Sequence, residues 1–93
     1  MKVFWSPQAK KDLDQIVERI AKDKKETAYR WAKTVEQKVG RLRKFPRSGR
    51  VVPELKRNEI REIVVGSYRI IYKLEKSVSI LTVFHGAKGT FSL

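Results

Sequence analysis

Two runs rich in β-branched and aromatic residues, Ile60–Val65 and Tyr68–Leu74, are separated by only Gly66 and Ser67. No other stretch limits the possible folds so sharply. A two-residue loop opening with glycine suits a type II′ hairpin, because Gly accepts the positive φ needed at the first central position. That loop length fixes the register. Val65 must face Tyr68, Val64 face Arg69 and Ile63 face Ile70, and the pleat then sorts the ribbon into two faces. One face carries Arg61, Ile63, Val65, Tyr68, Ile70 and Tyr72; the other carries Ile60, Glu62, Val64, Arg69, Ile71 and Lys73. Arg69 is thus a lone guanidinium on a largely aliphatic floor, expected to project into an open concavity away from the helices.

The preceding chain supplies a cover for this ribbon. Residues 2–5 have the composition of a short strand, and Ser6-Pro7 marks a helix start, with Ser as N-cap and Pro at the first helical position. Leu13, Ile16, Val17 and Ile20 then fall on one helical stripe. Asp23 and Glu26 have the spacing of a capping box, which predicts a second helix opening near Lys24. Ala28, Trp31, Ala32, Val35, Val39 and Leu42 keep the helical period as far as Phe45, where Pro46 and Gly49 end it. Trp31, on that stripe, is expected in the core. Residues 51–53 look extended, and after a turn at Glu75-Lys76 the run 77–84, apolar on both faces, predicts a central strand. The order is β-α-α-β-β-β: an α+β domain, residues 1–93, with an N-terminal helical hairpin on one face of a small, mainly antiparallel sheet.

A chain of 93 residues with 41% hydrophobic residues has room for one modest core. No apolar run approaches the roughly 20 residues of a membrane helix. The N-terminus lacks the apolar region of a signal peptide and there is no cysteine, so a cytoplasmic location and no membrane partner are expected. The formal charge of +12 calls for an anionic partner. It is spread through the fold, residues 7–45 holding 12 basic and 6 acidic residues, but it is densest from Arg41 to Arg50, with five cations and no acid. Cations in a last helical turn offset the macrodipole, which accounts for Arg41, Arg43 and Lys44 and leaves Arg47 and Arg50 unexplained.

With no cysteine, one histidine, no phosphate-binding glycine loop and no G-x-S-x-G, the sequence points to no cofactor and no metal. Cleavage of RNA by acid, base and charge stabilisation stays open, since arginine and lysine can hold a phosphate while another group moves the proton. Candidates for such a metal-independent site are Arg69, Arg61, His85 and Lys88. Arg50 joins Arg61, Arg69 and Lys88 as a candidate for target binding. Two of them have a structural alternative: Arg69 can pair with Glu62 on its own face, and His85 can make a local hydrogen bond at a strand end.

Gly49-Arg50-Val51-Val52-Pro53-Glu54-Leu55, Ile60-Arg61-Glu62, Gly66-Ser67-Tyr68-Arg69-Ile70-Ile71-Tyr72 and His85-Gly86-Ala87-Lys88, in this order and spacing, resemble the RelE/ParE superfamily of type II toxin-antitoxin toxins, often labelled plasmid stabilisation proteins. The opening Phe4-Trp5-Ser6-Pro7, Ala9 and Leu13 match as well. The resemblance implies a compact toxin, active in the cytoplasm and held inactive by an acidic cognate antitoxin that wraps it, with a homodimer or a hetero-oligomer with the antitoxin as possible assemblies. Two activities are implied. In RelE-like ribosome-dependent messenger RNA endonucleases, basic residues on the strand before the hairpin join the Tyr-Arg arginine, a later arginine and a C-terminal tyrosine. Here Tyr68-Arg69 matches and Lys88 stands at the later arginine, but Glu62 and Val64 flank Arg69 and no tyrosine follows Lys88. The Arg-Val-Val-Pro-Glu-Leu and His-Gly-Ala-Lys stretches are similar to the ParE branch, which poisons DNA gyrase by binding. DNA gyrase is therefore the first expected target, the ribosome with messenger RNA the second, and a non-toxic nucleic-acid-binding module the third reading.

Overall fold

The computed structural model of the chain describes residues 1–88, without the Lys88 side chain, and Phe91. Strand β1 (Val3–Trp5) leads into helix α1 (Pro7–Asp23) and helix α2 (Lys25–Gly40), which continues as a short 3-10 helix over Arg41–Arg43. Strands β2 (Arg50–Val51), β3 (Ile60–Val65), β4 (Tyr68–Leu74) and β5 (Val78–His85) follow, and a last 3-10 turn covers Gly86–Lys88. The sheet order is β1-β5-β4-β3-β2, antiparallel except where β1 runs parallel to β5. This is the expected α+β arrangement with one addition, the two-residue strand β2 on the edge of β3.

The hairpin has the predicted register, with Val65 opposite Tyr68, Val64 opposite Arg69 and Ile63 opposite Ile70. Gly66 takes φ +62 while Ser67 does not turn positive, which is the II′ pattern. Strand β5 is central, as its two apolar faces require. Between β4 and β5 the ladder slips: Ile71 pairs with Thr82 and Tyr72 with Ile80, leaving Leu81 as an extra residue. That slip lets Leu81 join the outer face without turning Ile80 out of the core.

Both faces of the sheet are apolar. The helix-side core gathers Ile16, Val35, Val39 and Leu42 with Val65, Ile70, Tyr72, Val78, Ile80 and Val83, and Trp31 packs against it. The Trp31 indole N–H donates to the Val65 carbonyl at 3.2 Å, and its ring lies 5.1 Å from that of Tyr68. A smaller cluster on the outer face holds Val52, Ile60 and Ile71 with Leu55, Leu81, Phe84 and Phe91. No helix covers it.

Two boundaries differ from expectation. Asp23 closes α1 and caps nothing: the residue before α2 is Lys24, which makes no side-chain capping bond, so the Asp23–Glu26 spacing is not a capping box. A one-residue joint between the helices leaves Asp23 inside the first helix and unable to serve the second. The α-helix also stops at Gly40, five residues short of Phe45, because the chain tightens into a 3-10 turn that keeps Leu42 buried. At the start of α1 the expectation holds, as the Ser6 hydroxyl accepts from the Ala9 N–H at 3.0 Å. The same hydroxyl donates to the Leu81 carbonyl at 3.0 Å, tying the helix to β5. Where β1 ends, the Asp12 carboxylate takes over the edge of β5, accepting from the Thr82 hydroxyl at 2.6 Å and the Val83 N–H at 3.1 Å. Among the described residues no helix is long and apolar enough to cross a membrane.

The loop before β2 is pinned by Tyr72, whose buried hydroxyl donates to the Pro46 carbonyl at 2.7 Å and accepts from the Gly49 N–H at 3.0 Å. A Cβ on Gly49 would lie 2.5 Å from that oxygen and 2.6 Å from the Glu62 carbonyl. Backbone blocks one side and a fully buried tyrosine the other. Gly49→Ala should therefore destabilise the chain by about 1–3 kcal/mol, measured by urea denaturation; a change below about 0.5 kcal/mol would mean the loop yields.

Candidate functional site

The outer face of β3 and β4 places Glu62 beside Arg69, as the register demands. Glu62 is completely buried, the sole charged residue among the described residues in that condition. Burying a carboxylate is costly unless it is paired and hydrogen-bonded. Two guanidiniums meet it: Arg69 Nε donates to Oε1 at 2.6 Å, and Arg50 Nε, from the facing residue of β2, donates to Oε2. Arg69 then turns the rest of its fork to Glu54, with Nη1 donating to Oε2 at 2.6 Å and Nη2 to Oε1 at 2.8 Å. This is a two-pronged pair, the strongest geometry open to an arginine and a carboxylate.

Aromatic rings complete the enclosure. The Arg69 guanidinium carbon sits 5.3 Å from the centre of the Phe84 ring, and Phe84 stacks on Phe91 at 6.3 Å and 18°. The Phe91 N–H donates to Glu54 Oε2 at 3.0 Å. Arg69 is left with a side chain only 11% exposed. It does point away from the helices, but into a closed ionic network, so the open concavity expected around it is not there.

The other sequence candidates lie elsewhere. Arg61, on the helix side of β3, gives its donors to backbone and amide oxygens: Asn58 O at 3.0 Å, Asn58 Oδ1 at 2.7 Å, Gly49 O at 2.9 Å and Arg47 O at 3.3 Å. It straps the 47–49 loop to the sheet. His85 stands opposite Tyr68 at the far end of β4, its ring edge-on to the tyrosine at 5.2 Å, with Nδ1 accepting from the Ala87 N–H at 3.1 Å. Arg61 pairs with Tyr72 and His85 with Tyr68, four strand residues or about 13 Å apart. Both face the helix side and Arg69 faces the other, so the structure does not gather Arg61, Arg69 and His85 around one point. The Lys88 side chain lies outside the described residues. Arg50 keeps an exposed guanidinium beside a cleft of about 340 Å³ between α2 and the β2–β3 edge, lined by Lys38, Arg41, Ser48, Gly49, Glu62, Ile63 and Val64.

Glu54 is the functional-region residue that sequence reasoning passed over. It sits within a tight turn in which the N–H groups of Leu55 and Lys56 both return to the Val52 carbonyl, and Lys56 adopts a left-handed φ of 53. The signal available was indirect: a guanidinium on an aliphatic floor needs more counter-charge than one carboxylate shared with Arg50, and Glu54 is the nearest acid flanking the extended 51–53 segment.

A helical hairpin across one face of a five-stranded, mainly antiparallel sheet, with an arginine-carboxylate network on the other, defines a small α+β protein with no open acid-base pocket among its described residues. The profile of the ParE toxin of type II toxin-antitoxin systems, parDE, matches residues 3–89, and the chain belongs to that family. Y4kP of Sinorhizobium fredii (strain NBRC 101917 / NGR234), a candidate toxin by name, is 33% identical over 86 residues, covering 90% of this chain and 86% of the relative. A solved chain from a chromosomal ParDE toxin-antitoxin system of P. aeruginosa has the same fold, with a TM-score of 0.73 at 19% identity over 91% of this chain and 95% of that one.

The arginine network sets the acid sensitivity of the fold. Hydrogen bonds from Arg69, and then the Phe91 N–H, hold the Glu54 carboxyl at about 2 against an ordinary 4.5. Folding lowers this pKa, so its contribution is complete above the unfolded value and is lost as pH falls from about 5 through 2. Glu54→Gln should lower stability at pH 7 and flatten the acid limb of a stability-against-pH curve; an unchanged limb would remove Glu54 from the account. Arg69→Ala strips Glu62 of one partner and should cost about 3–5 kcal/mol, whereas an Arg69→Met/Glu62→Leu double variant should recover most of that loss in the same denaturation assay.

Proposed function

We propose that this ParE-family toxin arrests growth by binding DNA gyrase in the cytoplasm, and that an acidic cognate antitoxin neutralises it. The observation that carries the reading is the state of Arg69. A guanidinium that stabilises a phosphate during strand cleavage must present free donors where charge develops, and those of Arg69 are committed to Glu54 and Glu62. Two carboxylates beside it would also repel a phosphate. Arg61 is held by four oxygens, and His85 lies on the opposite face of the sheet. Binding, unlike cleavage, needs a surface of fixed shape and charge, which the network and the Phe84–Phe91 stack supply. Arg69 on this reading is a positioning residue that fixes the 52–56 turn and Phe91, while the exposed Arg50 is a contact candidate, as is Lys88 by its place in the sequence.

The net charge of +12 also supports an acidic antitoxin, since complementary charge speeds encounter and selects the partner. We place its amphipathic helix and extended stretch over the helical hairpin. Expression together with the neighbouring reading frame should yield a co-purifying complex, and a product that fails to bind would sink this assignment.

Induction of the chain alone in cells tests the target. DNA breaks and an SOS response, with translation continuing at first, are the expected outcome. Prompt loss of translation with transcripts cut on ribosomes would replace the gyrase reading by the endonuclease one. Arg69→Lys, which keeps the charge but not the fork, should reduce toxicity together with stability; toxicity lost at full stability would instead make Arg69 a direct contact.

A further inference from the structure

From Gln37 to Pro53 the chain contains six cations and no acid. The fold ties one to an acid, sets Arg43 apart in a separate hollow beside Val3 and Trp5, and leaves the other four exposed. Arg50 is tied to Glu62. Lys38, Arg41, Lys44 and Arg47 are all exposed, and among the described residues none has a carboxylate within ion-pair distance. They recur every third residue, from the last turn of α2 through the 3-10 helix into the loop. Lys38 and Arg41 line two adjoining hollows, one shared with Arg50, Ser48 and the Gly49 backbone, the other with Lys44, Thr34 and Gln37. Lys38, Arg41 and Lys44 therefore form one continuous ridge, which the exposed Arg47 follows in the adjoining loop. Every ion pair in the described structure lies at residue 50 or beyond, away from it.

We infer that this ridge binds the phosphodiester backbone of a nucleic acid. Phosphates ask for what it has: mobile point charges from lysine, forked donors from arginine, and hydroxyl and amide donors from Ser48 and Gln37. Lys38 gives one hydrogen bond to the Val64 carbonyl at 3.2 Å and keeps two donors free. Protein interfaces instead have an apolar centre depleted in charge, and here only Phe45 and Val64 are large, apolar and exposed. The inference stands on the ridge alone. Joined to the gyrase reading, it gives the toxin a grip on the DNA that gyrase holds, in addition to its contact with the enzyme.

Duplex DNA and single-stranded RNA share this backbone, so both serve as probes. Fluorescence anisotropy of the full chain with a labelled 20-base-pair duplex, and with a single-stranded RNA of the same length, is followed across a salt series. Four phosphate contacts predict that log affinity for duplex falls with log salt at a slope near −3.6. The variant Lys38→Gln/Arg41→Gln/Lys44→Gln/Arg47→Gln should flatten that slope by about 3.6 and weaken binding by more than about tenfold at low salt. A charge-matched control, Lys10→Gln/Lys11→Gln/Lys22→Gln/Lys24→Gln at exposed positions of α1 and the joint after it, should keep most of it. Equal losses in both variants, or no binding to either probe, would overturn the inference. So would a glutamate-rich peptide that binds the ridge more tightly than both probes, which would assign it to a protein partner. The preference between the two probes identifies the source of the phosphates. Supercoiling inhibition measured on the same variants keeps the two proposals apart: DNA binding without any effect on gyrase would sustain the ridge and end the gyrase reading.

Discussion

A carboxylate with no access to water governs the outer half of this molecule. Glu62 lies in the middle of the hairpin strand β3, where the register allows it no other environment. Its charge is tolerable only because Arg50 and Arg69 arrive from the strands on either side. One buried acid thereby ties β2, β3 and β4 together with side chains as well as backbone. The edge strand is only two residues long and would be a weak partner by its ladder alone. The ion pair from Arg50 and the strap from Arg61 to the Gly49 and Arg47 carbonyls compensate for that shortness.

From that carboxylate the constraint spreads to the apolar surface around it. The sheet carries hydrophobic side chains on both faces, yet among the described residues there are helices for only one. The outer cluster is roofed by chain segments too short to bury much area, the 52–56 turn and Phe91. Glu54 holds both, through Arg69 on one side and the Phe91 N–H on the other. Exchanging one guanidinium among Glu62, Glu54 and a phenyl face makes these pieces depend on each other. Removing any one exposes apolar surface as well as an unpaired charge.

How far the sequence carries these conclusions depends on the range of the interactions involved. The II′ hairpin, its register and its two faces were legible because a glycine and a two-residue loop determine them locally. The Ser6 cap of α1 and the central place of β5 were equally local. The pairing of Arg69 with Glu62 was visible as one of two possibilities, since register made the two residues neighbours but said nothing about what else approached them. Glu54 was the deciding group, and its reach depends on a left-handed Lys56 that no propensity favours. The Asp12 bonds to Thr82 and Val83 join residues about seventy positions apart, where no sequence period operates. In the same way, spacing suggested a capping box at Asp23 because spacing cannot reveal how abruptly two helices join.

The distribution of charge gives the exposed cations their meaning. With a net charge of +12 on 93 residues, self-repulsion opposes compactness, and that cost is least when like charges are dispersed or paired. Around the sheet the chain does pair them: Glu54, Glu59, Glu62 and Glu75 each sit against an arginine or lysine. Along the end of α2 and the following loop it does the opposite, concentrating cations with no acid between Glu36 and Glu54. The helix macrodipole favours positive charge at a C-terminus, but its influence fades within a turn, so it reaches Lys38 and Arg41 and falls short of Arg47. Stability alone gives no reason to extend the run that far. A surface maintained against self-repulsion, beside a network that keeps its own arginine from competing for anions, is best understood as one shaped by an anionic partner outside the chain.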